Sequence, residues 1–165
     1  MLLFNDKIEF WKMHIEPYLL SSSSSQLRYT FVSLGTKGKK QKIIEFFELD
    51  RNFVSPDIPV FNLGFGDTQD GVKIDDTAIS DNGDMETVLR TVANAAEVFL
   101  ESHPSALIFF EGSTKVRTRL YRKMLNKYYT EISEKFIIWG ICNNEIKPFV
   151  LNNSVNFEAF LVKQK

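Results

Sequence analysis

Apolar and polar positions recur along the chain with two different periods, and the switches between them divide it into elements. Met85, Val88, Leu89, Val92, Ala96, Phe99 and Leu100 fall at helical spacing on one face, opposite Glu86, Arg90, Asn94, Glu97 and Glu101. That pattern predicts a helix over residues 84–101, with Pro104 just beyond its end. A second helix is predicted over 116–128, where Val116, Leu120, Met124 and Tyr128 stack at i+4. A shorter one is predicted near the start, over 6–15. Asn5 or Asp6 caps it, Ile8, Trp11 and Ile15 share a stripe that Leu19 extends, and Pro17 ends it.

Strands are predicted where β-branched and aromatic residues cluster: 28–34, 42–49, 60–65, 106–110, 135–142, 146–151 and 157–162. The run Ala106-Leu107-Ile108-Phe109-Phe110 is apolar throughout, as in a central strand buried on both faces. Ser21 to Ser25 have nothing to bury and read as a flexible loop, and residues 67–83 read as a long polar one. The order is α-β-β-β-α-β-α-β-β. It predicts an α/β (α+β) fold with a single mixed, mostly antiparallel sheet of about six to seven strands and helices packed on it. Residues 1–165 are expected to form one domain: an N-terminal helix over 1–20, the serine-rich loop over 21–26 and the α/β core over 27–163.

Composition narrows the function classes. Twenty Lys and Arg against 21 Asp and Glu give a net charge of -1, which excludes a wholesale basic nucleic-acid binder but leaves room for a local basic patch. The single cysteine, Cys142, excludes a disulfide framework and a cysteine-based zinc site. No signal-peptide core follows Met1, and no stretch approaches the roughly 18 apolar residues of a membrane span, so a cytoplasmic location with no membrane partner is expected.

Four segments carry a resemblance. They are Asn62-Leu63-Gly64-Phe65-Gly66-Asp67; Asp75-Asp76; Ser80-Asp81-Asn82-Gly83-Asp84 followed by Val88-Leu89-Arg90-Thr91-Val92; and Gly112-Ser113-Thr114 followed by Arg117-Thr118-Arg119-Leu120-Tyr121-Arg122. With the closing Phe157-Glu158-Ala159-Phe160, they resemble a small bacterial family known only as a domain of unknown function, over residues 28–163. The resemblance implies membership and no activity. More remotely, the order of elements is similar to that of Gcn5-related N-acetyltransferases, which implies acyl-CoA as cofactor. Those enzymes open the helix after the fourth core strand with a Gln/Arg-x-x-Gly-x-Gly/Ala loop whose N–H groups face the pyrophosphate. The corresponding loop here, residues 79–84, has one glycine and two carboxylates, Asp81 and Asp84, which repel a pyrophosphate.

Two charged segments supply the remaining chemistry. Asp67, Asp70, Asp75, Asp76, Asp81, Asp84 and Glu86 lie close together, and Asp67, Asp75, Asp76 and Asp84 are the candidate ligands of a hard cation such as Mg²⁺. No EF-hand spacing fits them, and helix caps with a solvated loop are the commoner use of such acids. The basic segment offers Arg119, Arg122 and Lys123 on one helical face, an anion-binding surface or a solvated one. Lysines of the 37–42 turn and Arg28 would extend it. Arg117 instead projects into the apolar arc, so it is expected either to pair with Asp67 or Asp76 or to form an anion pocket with Ser113 and Thr114. His14, His103, Ser113 as a nucleophile, Cys142 and Trp139 lack the partners that would make them reactive. Three functions follow. The first is a non-enzymatic module that binds nucleic acid, a nucleotide or a protein through the basic face, in a toxin–antitoxin or defence setting. The second is a divergent acyl-CoA-dependent N-acyltransferase. The third is a Mg²⁺-dependent phosphodiesterase using Asp67, Asp76 and Asp84.

Overall fold

Alternation along the strands and the 3.6-residue stripes of the helices resolve into one open mixed sheet with helices on one of its faces. The structure, a computed structural model, describes residues 15–50, 55–75, 78 and 80–165. Its strands are β1 (Ser21–Ser22), β2 (Arg28–Gly35), β3 (Gly38–Glu48), β4 (Val60–Asp67), β5 (Leu107–Phe110), β6 (Phe136–Cys142), β7 (Glu145–Pro148) and β8 (Ala159–Gln164). The helices among the described residues are α1 (Met85–Ser102), α2 (Lys115–Lys127) and α3 (Tyr129–Lys135). The sheet order is β1-β2-β3-β4-β5-β8-β6-β7. Every neighbouring pair is antiparallel except β4 and β5, which run parallel and are joined through α1.

Both helical groups cover the same face. Tyr29, Phe31, Ile44, Phe46, Phe61, Leu63 and Ile108 pack against Val88, Val92, Ala95, Phe99 and Leu100 of α1. Leu125 of α2 and Ile132 of α3 pack with Ile138, Phe149, Phe157 and Phe160. Phe110 and Val162 touch both clusters, which places α1, α2 and α3 on one side of the sheet. The opposite face holds a smaller cluster around Val60, Leu107 and Leu161, so β5 is buried on both sides as its apolar run predicts.

The parallel pair is short. Val60, Phe61 and Asn62 of β4 register with Leu107, Ile108 and Phe109, after which β4 continues alone to Asp67 while β5 ends at Phe110. The strands part at their carboxyl ends, beneath the starts of α1 and α2.

The structure corrects several expectations. Eight strands replace the expected six to seven, because Ser21 and Ser22 pair with Tyr29 and Thr30 through main-chain groups that need no buried side chain. The turn that follows is closed by Ser23 N–H to Arg28 O at 2.8 Å. The N-terminal helix expected over 6–15 lies outside the described residues except at its last position. Residues 15–20 are not helical, since Pro17 interrupts them and Tyr18 N–H bonds Thr91 Oγ1 at 2.9 Å. Helix α2 is rotated from its expected stripe: Val116 is 70% exposed, whereas Thr118 and Leu125 are buried and Tyr121 packs against the sheet. The cause is Thr118, whose hydroxyl accepts from Gly112 N–H at 3.1 Å and bonds Thr114 O at 3.3 Å, turning that side of the helix toward the strand end. No helix among the described residues is long and apolar enough to cross a membrane.

The rotation of α2 is directly testable. Leu125→Ala should cost about 2–5 kcal/mol in urea unfolding, as other leucine truncations in cores do. Val116→Ala should stay within about 0.5 kcal/mol of the parent.

Candidate functional site

On three adjacent strands the face that carries the core turns polar at the same end. Tyr29 and Phe31 give way to Ser33, Phe46 and Ile44 to Lys42, and Phe61, Leu63 and Phe65 to Asp67. Lys42 is 3% exposed, and its ammonium donates to Asp67 and, at 3.1 Å, to Ser80 Oγ. A charge so buried persists only with its counter-charge, so the pair across β3 and β4 is a requirement of the fold.

The loop before α1 is fastened to the β2–β3 hairpin. Asn82, 3% exposed, accepts from Lys37 N–H at 2.8 Å and donates to Gly38 O at 3.0 Å and Ser33 Oγ at 3.1 Å. Its carbonyl accepts from Thr36 N–H at 2.9 Å. Gly35 makes this approach possible, because a Cβ there would overlap the Asn82 carbonyl. The next acid, Asp84, occupies the N-cap position of α1 but makes no capping bond with its side chain. Its Oδ2 accepts from Tyr18 Oη at 2.7 Å and from Ser33 Oγ at 2.5 Å. Burial, reinforced by the hydrogen bond to Asp84, raises the Tyr18 pKa above 10.0.

The start of α2 forms the facing wall. Gly112 lets the helix fold tightly back on its strand, since a Cβ would overlap the Arg117 and Thr118 backbone. Thr114 Oγ1 caps the helix by accepting from Arg117 N–H at 3.2 Å. The Arg117 guanidinium donates to Ser113 Oγ at 2.6 Å and Ala78 O at 3.1 Å. Tyr121 packs on Phe65 and Phe110, with ring centroids 5.9 Å and 6.2 Å away, and burial raises its pKa while the charge of Arg117 opposes the shift.

Between these walls lies a cavity of about 560 Å³, lined by the end of β4, the first turn of α1, Arg117, Leu120 and Tyr121 of α2, and the segment before α1. It sits where the parallel strands part, the usual place for a ligand in sheets whose parallel strands are each followed by a helix.

The sequence-predicted residues divide accordingly. Asp67, Asp75, Asp84 and Arg117 all line the cavity. Asp76 lies outside the described residues. Asp67 pairs with Lys42 and not with Arg117, which a sequence stripe could not show because it depends on the register of β3 against β4. Of the anion-pocket residues, Thr114 Oγ1 accepts from Arg117 N–H and Ser113 Oγ accepts from the Arg117 guanidinium. Of the basic face, Arg122 is tied to Val155 O at 3.2 Å and Asn156 Oδ1 at 2.6 Å, while Arg119 and Lys123 are exposed. Arg28 pairs with Glu45, and Lys37 lies 3.5 Å from Asp81. Glu86 pairs with Lys127, which lowers its pKa, and accepts from Tyr128 Oη at 3.0 Å. Among the described residues no three of His, Cys, Asp and Glu gather to hold a metal ion. His103 stacks on Phe99, with ring centroids 4.3 Å apart, and Cys142 is half-buried against the second apolar cluster. Sequence reasoning missed Tyr18, Ser33 and Asn82, whose only signal was their polarity beside apolar neighbours.

A protein-family model of a family of unknown function, DUF6934, matches residues 14–165, and the chain belongs to that family. Searches of curated proteins and of solved structures give no match.

Replacing Asn82 by Ala strands the Lys37 N–H and Gly38 carbonyl and should cost about 1–3 kcal/mol, read by thermal or urea unfolding. Alkaline stability gives a second check. Tyr18, Tyr29, Tyr121 and Tyr128 all have pKa values raised above 10.0, chiefly by burial. A raised phenol contributes stability that is whole below the unfolded value and lost as pH climbs through the folded one. The melting temperature should therefore fall above pH 10, and Tyr18→Phe should make that fall shallower.

Proposed function

We propose that this member of DUF6934 is a binding module whose cavity takes a small organic ligand bearing an ammonium group. One observation carries the reading. Asp84 lines the cavity with Oδ2 held by two hydroxyl donors, while its Oδ1 has no hydrogen-bond partner and the carboxylate no cationic partner among the described residues. A carboxylate so oriented, in a cavity with apolar walls from Phe65, Met85, Val88 and Leu120, suits an amine on an apolar body. The volume falls within the roughly 300–1,000 Å³ of small-molecule sites.

The rival chemistries fit these residues less well. The likeness in predicted element order to Gcn5-related N-acetyltransferases would place an acyl-CoA pyrophosphate at the start of α1. There Asp81 and Asp84 present negative charge, and Asn82 spends its carbonyl and side chain on the hairpin. These residues do not fit a pyrophosphate. A hard cation would have to displace Lys42 from Asp67. A polyanion held on the basic face keeps Arg119 and Lys123 free but finds Arg122 already committed.

Melting the full chain with phenethylamine, spermidine, acetyl-CoA, MgCl₂ or a mixed-sequence oligonucleotide separates these classes. An amine at a hundred times its Kd should stabilise by about 2.7 kcal/mol, raising the melting temperature by several degrees. Silence with both amines, or a shift confined to acetyl-CoA, Mg²⁺ or the oligonucleotide, would reject the reading.

A further inference from the structure

The sheet ends at β7, and the turn before that strand sets what it shows to solvent. Asn143 and Asn144 both take positive φ, 52° and 61°, as the two-residue turn of a tight hairpin requires. The turn puts Cys142 opposite Glu145, Ile141 opposite Ile146, Gly140 opposite Lys147 and Trp139 opposite Pro148. Hydrogen-bonded and non-bonded pairs alternate along an antiparallel ladder. Phe149 N–H donates to Ile138 O at 3.0 Å, so the bonded pairs are 138–149, 140–147 and 142–145. The main-chain groups of Ile146 therefore point away from β6, as do those of Pro148, which has no N–H to offer. No strand among the described residues pairs with that edge, and all four residues of β7 are exposed.

The side chains of this edge complement their own reverse. Glu145 and Lys147 share one face, 3.1 Å apart, and both are open to solvent. Ile146, 38% exposed, lies on the other face beside Ile141, at the margin of the apolar cluster opposite the helices. A second copy laid antiparallel along β7 can use the outward groups in two registers. Centred on Ile146, each Ile146 N–H donates to the Ile146 carbonyl of the partner subunit, and Glu145 faces Lys147 of the partner subunit. Centred on Lys147, each Ile146 N–H reaches the Pro148 carbonyl of the partner subunit, the Ile146 carbonyls are left over, and two Lys147 ammonium groups face each other. Opposite charges across a strand pair support it and like charges oppose it, which selects the first register. Pro148 supplies no donor to extend the ladder further.

We propose that β7 is the contact through which two copies of this chain associate, antiparallel and centred on Ile146, joining their sheets edge to edge. The arrangement is a closed two-fold pair. It also brings the Ile141 and Ile146 side chains of both copies into one apolar strip. Lysine and proline on a sheet edge restrict which strands it accepts. A strand accepted here must bring an ammonium to Glu145 and a carboxylate to Lys147, as a second copy does. The other edge of the sheet, β1, has two serines and no charge pattern to choose a partner. A contact this small forms a transient pair.

Sedimentation equilibrium of the full chain at concentrations rising to about 1 mM, read together with amide exchange, tests the proposal. The parent should shift toward dimer as concentration rises, and the Ile146 N–H should become protected in step. Glu145→Lys sets ammonium groups opposite each other at both symmetry-related pairs and should weaken association about tenfold or more. Combining it with Lys147→Glu restores opposite charges and should return association to within about threefold of the parent. Far-UV spectra and melts of each variant establish that it is folded. A parent that stays monomeric throughout would overturn the proposal. So would a dimer that Glu145→Lys leaves equally tight, or one that forms without protecting the Ile146 N–H.

Discussion

A buried lysine opposite a half-buried aspartate, at the point where an apolar sheet face runs out, is the constraint on which the rest of the site depends. Lys42 and Asp67 face the helices from adjacent strands and are registered directly across from each other. Neither can be left alone in that environment, because an unpaired charge there costs several kcal/mol. With the pair in place, the end of β4 presents charge, and α1 cannot seal that end with leucines or phenylalanines. It begins there with Asn82 and Asp84, whose polar atoms are satisfied by Ser33, Tyr18 and the β2–β3 hairpin. The parting of β4 from β5 follows the same logic: beyond Asn62 and Phe109 the two strands no longer pair.

The distribution of cations then separates structure from recognition. Salt bridges Arg90–Glu131, Lys127–Glu86 and Lys135–Glu97 join α1 to the α2–α3 arm, and Arg122 holds the segment before β8. Exposed pairs of this kind contribute little each, typically about 0–1 kcal/mol. They do take Arg90, Lys127 and Lys135 out of any surface that could meet a polyanion, while Arg119 and Lys123 stay exposed. Arg117 is half-buried at the cavity, and its partners among the described residues are the uncharged oxygens of Ser113 and Ala78. A guanidinium in that situation can still be paired by something that enters from solvent.

Membership of DUF6934 assigns no chemistry, so function has to be argued from the site. The sheet offers one parallel junction with a helix following each of its strands, an arrangement that gathers helix starts and strand ends around a single hollow. What distinguishes this hollow is its charge layout. The start of α1 brings Asp84 to it, and α2 brings Arg117.

Periodicity alone located seven of the eight strands, the mixed sheet, the strand buried on both faces and the long helix to within a residue at each end, but passed over β1 and α3. These follow from local rules: side-chain spacing reports which positions face an interior, whatever that interior contains. It also flagged Asp67, Asp84 and Arg117 as charges in unusual places. Only the tertiary structure decided their partners. Thr118 and Thr91 read as polar, yet both are buried because their hydroxyls bond main-chain groups nearby, and Thr118 in this way turned α2 away from its expected stripe. Lys42 read as the start of a strand and part of a basic surface, yet register across β3 and β4 set it against Asp67. Tyr18 and Ser33 meet Asp84 from far along the chain, and such pairings depend on how strands and helices pack, which sequence spacing does not encode.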